Sequence, residues 1–452
     1  MVFSSISFLF FFLPIFLILY YILPFKYKNY CLLIFSLIFY AWGEPIYIIL
    51  MILETFINYL FARLIENNPK KIYIIITIIF NILIITFFKY SNFLINILND
   101  IFNLNISLLN LSLPIGISFF TFQGLSYVID VYRKQINAQK NYFLLLTYIS
   151  MFPQLIAGPI VRYETINDEL NERKIDFENY SKGLVRFLKG LFKKVLLANQ
   201  IGIIFDTILL NINNISFLTS WLGALAFTLQ IYYDFSGYSD MAIGLGKMLG
   251  FDFLENFNYP YMANSITDFW RRWHISLSTW FKDYVYIPLG GSFKSVKNTI
   301  INLLIVWILT GIWHGADYNF IIWGLYYAIL LILEKFVLKN IIKKMPNILK
   351  HVYTIILVMI GWIIFSITDL NSLILYLSKM FNFSNICDNE FLYYISNYGI
   401  VILIGILLSF KIKIKESKII NILEIFVFII LFIITISFIV SDTYNPFLYF
   451  RF

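Results

Sequence analysis

The chain has 452 residues, of which 60% are hydrophobic and 13% charged, with a mean hydropathy of +0.79. Soluble proteins are roughly 45–50% apolar and about 25% charged, so the composition excludes a soluble globular protein and reads as a polytopic membrane protein. The net charge of +8 is spread over many loops, which excludes a nucleic-acid surface and leaves the basic residues to set topology.

Apolar runs of about 20 residues mark spanning helices. The first covers 4–23. It has no basic leader and no small-residue cleavage site, so it reads as a retained helix and not as a secretory signal. Lys26 and Lys28 follow it and place the N-terminus outside. The stretch 30–62 is too long for one span and breaks at Trp42-Gly43-Glu44-Pro45, because proline is tolerated at a helix start and not within one. Two helices joined there return Arg63, Lys70 and Lys71 to the cytoplasm. Further spans are expected at 72–88, at 111–130 with an interruption at Pro114 and Gly116, and at 142–160. The run Phe152-Pro153-Gln154-Leu155-Ile156-Ala157-Gly158-Pro159 by itself means only a bend.

The segment 162–194 is the main polar insertion. Its second half, from near Asp176, reads as an amphipathic helix. Phe177, Tyr180, Leu184, Leu188, Leu191 and Phe192 fall on one face, and Lys182, Arg186, Lys189 and Lys193 on the other. Such a helix lies in the headgroup plane on the cytoplasmic side, either as a plain anchor or as a surface for an anionic acyl donor. Spans at 195–210 and 217–233 follow, then Asp234-Phe235-Ser236-Gly237-Tyr238-Ser239-Asp240. The two acids suit a substrate or metal contact. Equally, Ser239 or Asp240 suits an N-cap before Met241.

Residues 250–298 are too polar to span and rich in aromatics. A helix is expected from Ser265 to Tyr284, with Trp273, Leu277, Trp280 and Tyr284 on one face and Arg271, Ser278 and Lys282 on another. Asp268 can pair with Arg271 or Arg272 at i+3 or i+4, and Pro288-Leu289-Gly290-Gly291 forces a turn. Non-spanning backbone at membrane depth is tolerated only where it is buried or lines a wet cavity, so this interfacial or re-entrant segment is expected to form part of a cavity. Spans at 299–313, 319–334, 352–368, 391–410 and 419–440 complete a total of eleven or twelve. The fold class is an all-α polytopic membrane protein with interfacial helices, without the internal repeat of an inverted-repeat transporter. It reads as a single domain over 1–452, with N-terminal helices at 1–150, a motif-bearing core at 151–340 and C-terminal helices at 341–452. Cys31 and Cys387 are too isolated for a metal site and are not expected to pair.

The chain has three histidines. His314, in Trp313-His314-Gly315-Ala316, lies between two apolar runs, where an ionisable group is expensive and is a functional hypothesis by default. A neutral imidazole there suits a general base taking a proton from a hydroxyl, and Gly311 and Gly315 read as room for a substrate chain. A histidine merely bonded to a neighbouring helix fits the spacing as well. His274 suits a second site residue or an interfacial filler.

Taken together, seven stretches resemble the membrane-bound O-acyltransferase family in its bacterial alginate O-acetyltransferase branch. They are the run at 152–159, Tyr233 to Asp240, Glu255-Asn256-Phe257-Asn258-Tyr259-Pro260-Tyr261, Thr267 to Ser278, Tyr286 to Gly291, Thr310 to Ala316, and Asn445 to Phe452. The likeness covers 150–452 well and the first third loosely. It implies that His314 is the catalytic histidine and His274 the second characteristic one, in a funnel of helices with a tunnel through its floor. Asp268, Arg271, Arg272, Trp273, Trp313, Asp234 and Ser236 are the candidate substrate-binding residues. The implied activity is O-acyl transfer, most simply acetyl, at a bacterial cytoplasmic membrane, to decorate a cell-surface or secreted polysaccharide. No cofactor or metal is expected to be bound, and the acyl donor, such as acetyl-CoA, is a substrate. The implied partner is an extracytoplasmic acyl acceptor or SGNH-type acetyltransferase, with the polysaccharide reached indirectly and no nucleic acid involved. Peptidoglycan as acceptor, or D-alanine transfer to teichoic acid, keeps the same family. A transporter and an export-complex scaffold are the non-catalytic readings.

Overall fold

Apolar segments in a bilayer must satisfy their own backbone hydrogen bonds, which leaves helices or closed barrels. The computed structural model describes residues 1–109, 111–156, 158–412, 417–441 and 447–448, without side-chain detail at 418–421, and these fold as helices with no strand among the described residues. Among the described residues, seven helices are long and apolar enough to cross a membrane: Tyr47–Asn67, Lys71–Phe102, Val296–His314, Tyr318–Phe336, Asn347–Ser366, Asn389–Leu408 and Ile422–Ser441, with Phe8–Ile22 a shorter apolar one. The other expected spans are shorter or more polar. Helix Phe25–Gly43 begins with Lys26, Lys28 and Asn29. Ile117–Tyr132 has 16 residues and follows Gly116 at φ +77°. The expected helix at 142–160 is two pieces, Tyr142–Ser150 and the single turn Phe152–Leu155, which starts afresh with Pro153 in its first turn after Met151 leaves the helical region at ψ 111°. Asn199–Leu210 has 12 residues and continues a π-helical turn. Phe217–Met248 runs for 32 residues and carries Gln230, Asp234 and Asp240 along its length.

The chain divides into two compact units. The first comprises Met1–Phe187 and Tyr238–Leu254. Its core is aromatic: Phe152 packs against Phe12, Phe16 and Phe39 at ring distances of 5.4, 5.1 and 5.5 Å. The expected break at Trp42–Pro45 separates helices Phe25–Gly43 and Tyr47–Asn67. Lys28 is buried and donates to the Tyr20 carbonyl. Asp240 lies inside Phe217–Met248, so neither it nor Ser239 caps a helix; its carboxylate pairs with Arg186 at 2.6 Å.

The helix Phe177–Phe192 starts where expected, with the Asp176 carboxylate accepting the Asn179 N–H at 2.8 Å. A further face, of small residues, packs against protein. A Cβ on Gly183 would meet the Gly244 carbonyl at 2.5 Å in the first unit, and one on Gly237 would meet the Gly190 carbonyl at 2.8 Å in the second. The protein-facing stripe is therefore Gly183, Phe187, Gly190 and Leu191, while Phe177, Leu184 and Val185 are exposed. Small residues win this face because they let two backbones approach closely.

The second unit comprises Leu188–Gly237 and Glu255–Phe452. Its central hairpin is Val296–His314 against Tyr318–Phe336. The backbones close to the point where a Cβ on Gly324 would meet the Trp307 carbonyl at 2.4 Å, and one on Gly311 the Phe320 carbonyl at 2.2 Å. Glu334, near the end of the hairpin, accepts the N–H groups of Ile266 and Thr267 at 2.7 and 2.9 Å and the Thr267 hydroxyl at 2.8 Å. It thereby caps the helix Ile266–Arg272 and fixes the polar aromatic segment on the hairpin. Cys31 and Cys387 are both free. Of the C-terminal stretch Asn445–Phe452, Phe447 and Leu448 alone lie within the described residues, and Ala157 of the 152–159 run lies outside them.

Candidate active site

The helix expected from Ser265 to Tyr284 breaks in its middle. It is Ile266–Arg272, then Ile275–Phe281 and a π-helical turn at Lys282–Tyr286. The break is His274, held in the left-handed region at φ +43°. For a residue with a Cβ this conformation costs about 1–2 kcal/mol, so its surroundings must impose it. Asn256 does so. Its carbonyl accepts the Ile275 N–H at 3.0 Å and its side-chain oxygen accepts the Ser276 N–H at 3.2 Å. Asn258 N–H closes the other side of the break on the Arg272 carbonyl at 2.9 Å.

His274 is buried, with its Nδ1 3.1 Å from the Asn256 side-chain oxygen and its ring edge-on to Phe235 at 4.7 Å. Burial pushes its pKa down to about 3, so the imidazole is neutral at ordinary pH. His314 ends the helix Val296–His314 and is also buried. Its ring sits edge-on among Trp313, Trp323 and Phe365 at 5.0, 5.1 and 5.2 Å. Trp313 stands beside both imidazoles, 6.1 Å from that of His274. The two glycines around His314 do not leave space for a substrate: a Cβ on Gly315 would fall 2.0 Å from the Phe320 ring, and Gly311 abuts the Phe320 carbonyl. They are small because the hairpin is tight.

Both histidines line one cavity of about 220 Å³, together with Trp273, Arg271, Ser278 and Lys282. Arg271 and Lys282 are exposed, so their charges lie at the wet side of an otherwise apolar chamber. His314 and Trp273 also line a second, much smaller cavity of about 20 Å³, closed by Asp234, Phe235, Trp362, Phe365, Phe447 and Leu448. His314 thus lines two spaces.

The remaining candidates scatter around this centre. Asp268 pairs with Arg272 at 2.9 Å, not with Arg271, because the i+4 spacing aligns the two side chains on the half-exposed face of a short helix. Neither residue of that pair, nor Trp313 or Ser236, lines either cavity. The Ser236 hydroxyl is buried with no partner among the described residues. Asp234 forms a buried ion pair with Lys194 and accepts the Leu448 N–H at 2.8 Å. Sequence reasoning missed Asn256, Lys194 and Glu334. The family-like stretch Glu255–Tyr261 marks the place of Asn256, but a neutral amide in a loop shows no role by pattern, and the partners of the two charges lie 40 and 67 or 68 residues away.

The sequence profile of the membrane-bound O-acyltransferase family matches residues 139–378. The chain is 43% identical over 392 residues to the probable alginate O-acetylase of Pseudomonas aeruginosa, covering 85% of this chain and 75% of that protein. It is 41% identical over 394 residues to the probable alginate O-acetylase of Azotobacter vinelandii, covering 85% and 79%. It is 35% identical over 422 residues to the peptidoglycan O-acetyltransferase of Helicobacter pylori, covering 84% and 80%. With its helices of membrane-spanning length and two buried histidines on one cavity, the chain belongs to the membrane-bound O-acyltransferase family and is a multi-pass O-acyltransferase.

Proposed function

We propose that the protein takes an acetyl group from a cytoplasmic thioester such as acetyl-CoA and delivers it across the bacterial cytoplasmic membrane for O-acetylation of a cell-surface or secreted polysaccharide. The observation that carries this reading is that His314 lines both cavities, a position that would put it on the path of a group moving from the larger to the smaller. This pair of spaces is the local counterpart of a funnel and tunnel. Arg271 and Lys282 at the larger cavity suit the phosphates of such a donor. In the transfer the acceptor oxygen bonds to the acyl carbon while the carbon–sulfur bond breaks. His314 takes the hydroxyl proton and returns it to the leaving thiolate. The alginate O-acetylases among the relatives favour a polysaccharide acceptor. An extracytoplasmic acceptor protein of SGNH type is the partner that would hand the group on.

The test is the O-acetyl content of surface polysaccharide in a deletion strain complemented with wild type, His314→Ala or His314→Gln at matched membrane levels. Loss of at least 10²-fold in ester formation is expected, in line with the roughly 10²–10⁴-fold contribution of a general base. Retained ester would remove His314 from the chemistry. The Helicobacter pylori relative supports a second acceptor, peptidoglycan. Ester analysis of separated peptidoglycan and exopolysaccharide from the same strains decides between them. Family membership sets the transporter and scaffold readings aside.

A further inference from the structure

Asn256 is fully buried and its side-chain oxygen is shared by three groups: the Ser276 N–H at 3.2 Å, the Ser276 hydroxyl at 2.9 Å and the His274 Nδ1 at 3.1 Å. The first fixes the identity of the atom. A backbone N–H only donates, so the amide must present its oxygen, and not its nitrogen, to this corner. That oxygen then faces Nδ1 with lone pairs alone. A bare Nδ1 at this distance would set lone pair against lone pair, so Nδ1 carries the hydrogen. The Ser276 hydroxyl, 3.4 Å from Nδ1, gives its own hydrogen to the closer Asn256 oxygen and also offers only lone pairs to the ring. A neutral imidazole has one N–H, which leaves Nε2 as an acceptor. Nε2 is buried and has no protein partner among the described residues, and His274 lines the 220 Å³ cavity.

We infer that Asn256 is a positioning residue for the transfer: it locks His274 in the Nδ1–H tautomer and in its left-handed backbone position, so that an acceptor Nε2 is available to a substrate at the cavity shared with His314. An unpaired buried acceptor is costly, and the substrate group that relieves it carries an O–H or N–H, such as the incoming hydroxyl or an amide of the donor's arm. The role in transfer rests on the acyltransferase reading, whereas the tautomer does not.

The chain's three histidines, His274, His314 and His351, make the test direct. The full chain, labelled with [15N]histidine and placed in lipid bilayers, gives three imidazole pairs by solid-state NMR, and His274→Gln identifies one of them. The expected signature is a protonated Nδ1 and a bare Nε2 for His274. Asn256→Leu, similar in shape but without an acceptor, should release this tautomer and lower ester formation about 10- to 100-fold, the range seen when a metal-bound histidine loses the partner that orients it. Asn256→Asp keeps the acceptor oxygen and should retain both the Nδ1–H and more of the activity than Asn256→Leu. A wild-type His274 protonated at Nε2 overturns the inference. So does an Asn256→Leu protein with an unchanged tautomer or unchanged transfer. Should Asn256→Leu fail to reach the membrane, the wild-type spectrum and Asn256→Asp decide alone. The spectrum needs no substrate, so it tests the lock independently of which acyl group is moved.

Discussion

His314 and His274 do different things with burial. His314 closes a membrane helix among aromatic rings, with Trp313, Trp323 and Phe365 edge-on to it, and lines two spaces. His274 is held outside any regular helix, in a backbone conformation imposed by Asn256. Its lowered pKa has a consequence for stability. The folded value is about 3 against an ordinary value of 6.5, so the folded state resists a proton that the unfolded chain binds readily. The stabilisation is fully present above about pH 6.5 and is lost progressively as pH falls toward 3. The unfolding midpoint of the solubilised protein, followed from pH 7 to pH 4, should fall more steeply for wild type than for His274→Asn. Equal slopes would mean that His274 protonates without cost. The histidine at 314 was legible in the sequence because a titratable group between two apolar runs stands out. Asn256 lies in a family-like stretch, but its role was not legible, since an amide in a loop has no period and gains its meaning from a residue 18 positions away.

At the scale of elements, the hairpin Val296–His314 and Tyr318–Phe336 is the frame on which the site hangs, and its closeness depends on glycine at particular points. At Gly324 the opposing atom is the Trp307 carbonyl, 2.4 Å from where a Cβ would stand. Backbone cannot swing aside as a side chain can, so the helices must separate. Gly324→Ala should therefore destabilise the protein by about 1–3 kcal/mol, the usual cost of overpacking, and reduce transfer by displacing His314, as read by thermal unfolding and ester formation together. An alanine variant with wild-type stability would mean that the hairpin tolerates a wider spacing. The hairpin's two spans were legible within a few residues, because long apolar runs between polar breaks specify helices whatever they pack against. Helix interruptions were legible only where proline announced them, as at Pro45. The break at His274 comes from tertiary hydrogen bonds acting on a sequence that, by itself, has helical spacing.

Across the second unit as a whole, Asp234 decides how far a sequence reading of function extends. Its position in a family-like motif suggests substrate binding, yet its carboxylate is occupied by Lys194 and by the Leu448 N–H, so it ties the start of the unit to the chain's C-terminal residues. It also lines the small cavity beside His314, which keeps a direct role open to test. Lys194 and Asp234 are 5% and 3% exposed, and buried pairs behave asymmetrically. Removing one partner strands a charge and costs about 3–5 kcal/mol, whereas replacing both with apolar residues of similar size is often neutral or stabilising. Asp234→Leu alone should thus sharply lower the unfolding midpoint and the membrane level, and the Lys194→Met/Asp234→Leu double variant should recover much of both. Activity then separates structure from chemistry. If the double variant folds and still forms ester, Asp234 serves as a tie for Lys194 and Leu448. If it folds and forms none, the Lys194–Asp234 pair beside the small cavity is needed for transfer itself. A double variant no more stable than Asp234→Leu would refute the coupling itself, and would assign the loss to the unpaired Leu448 N–H, which neither substitution restores.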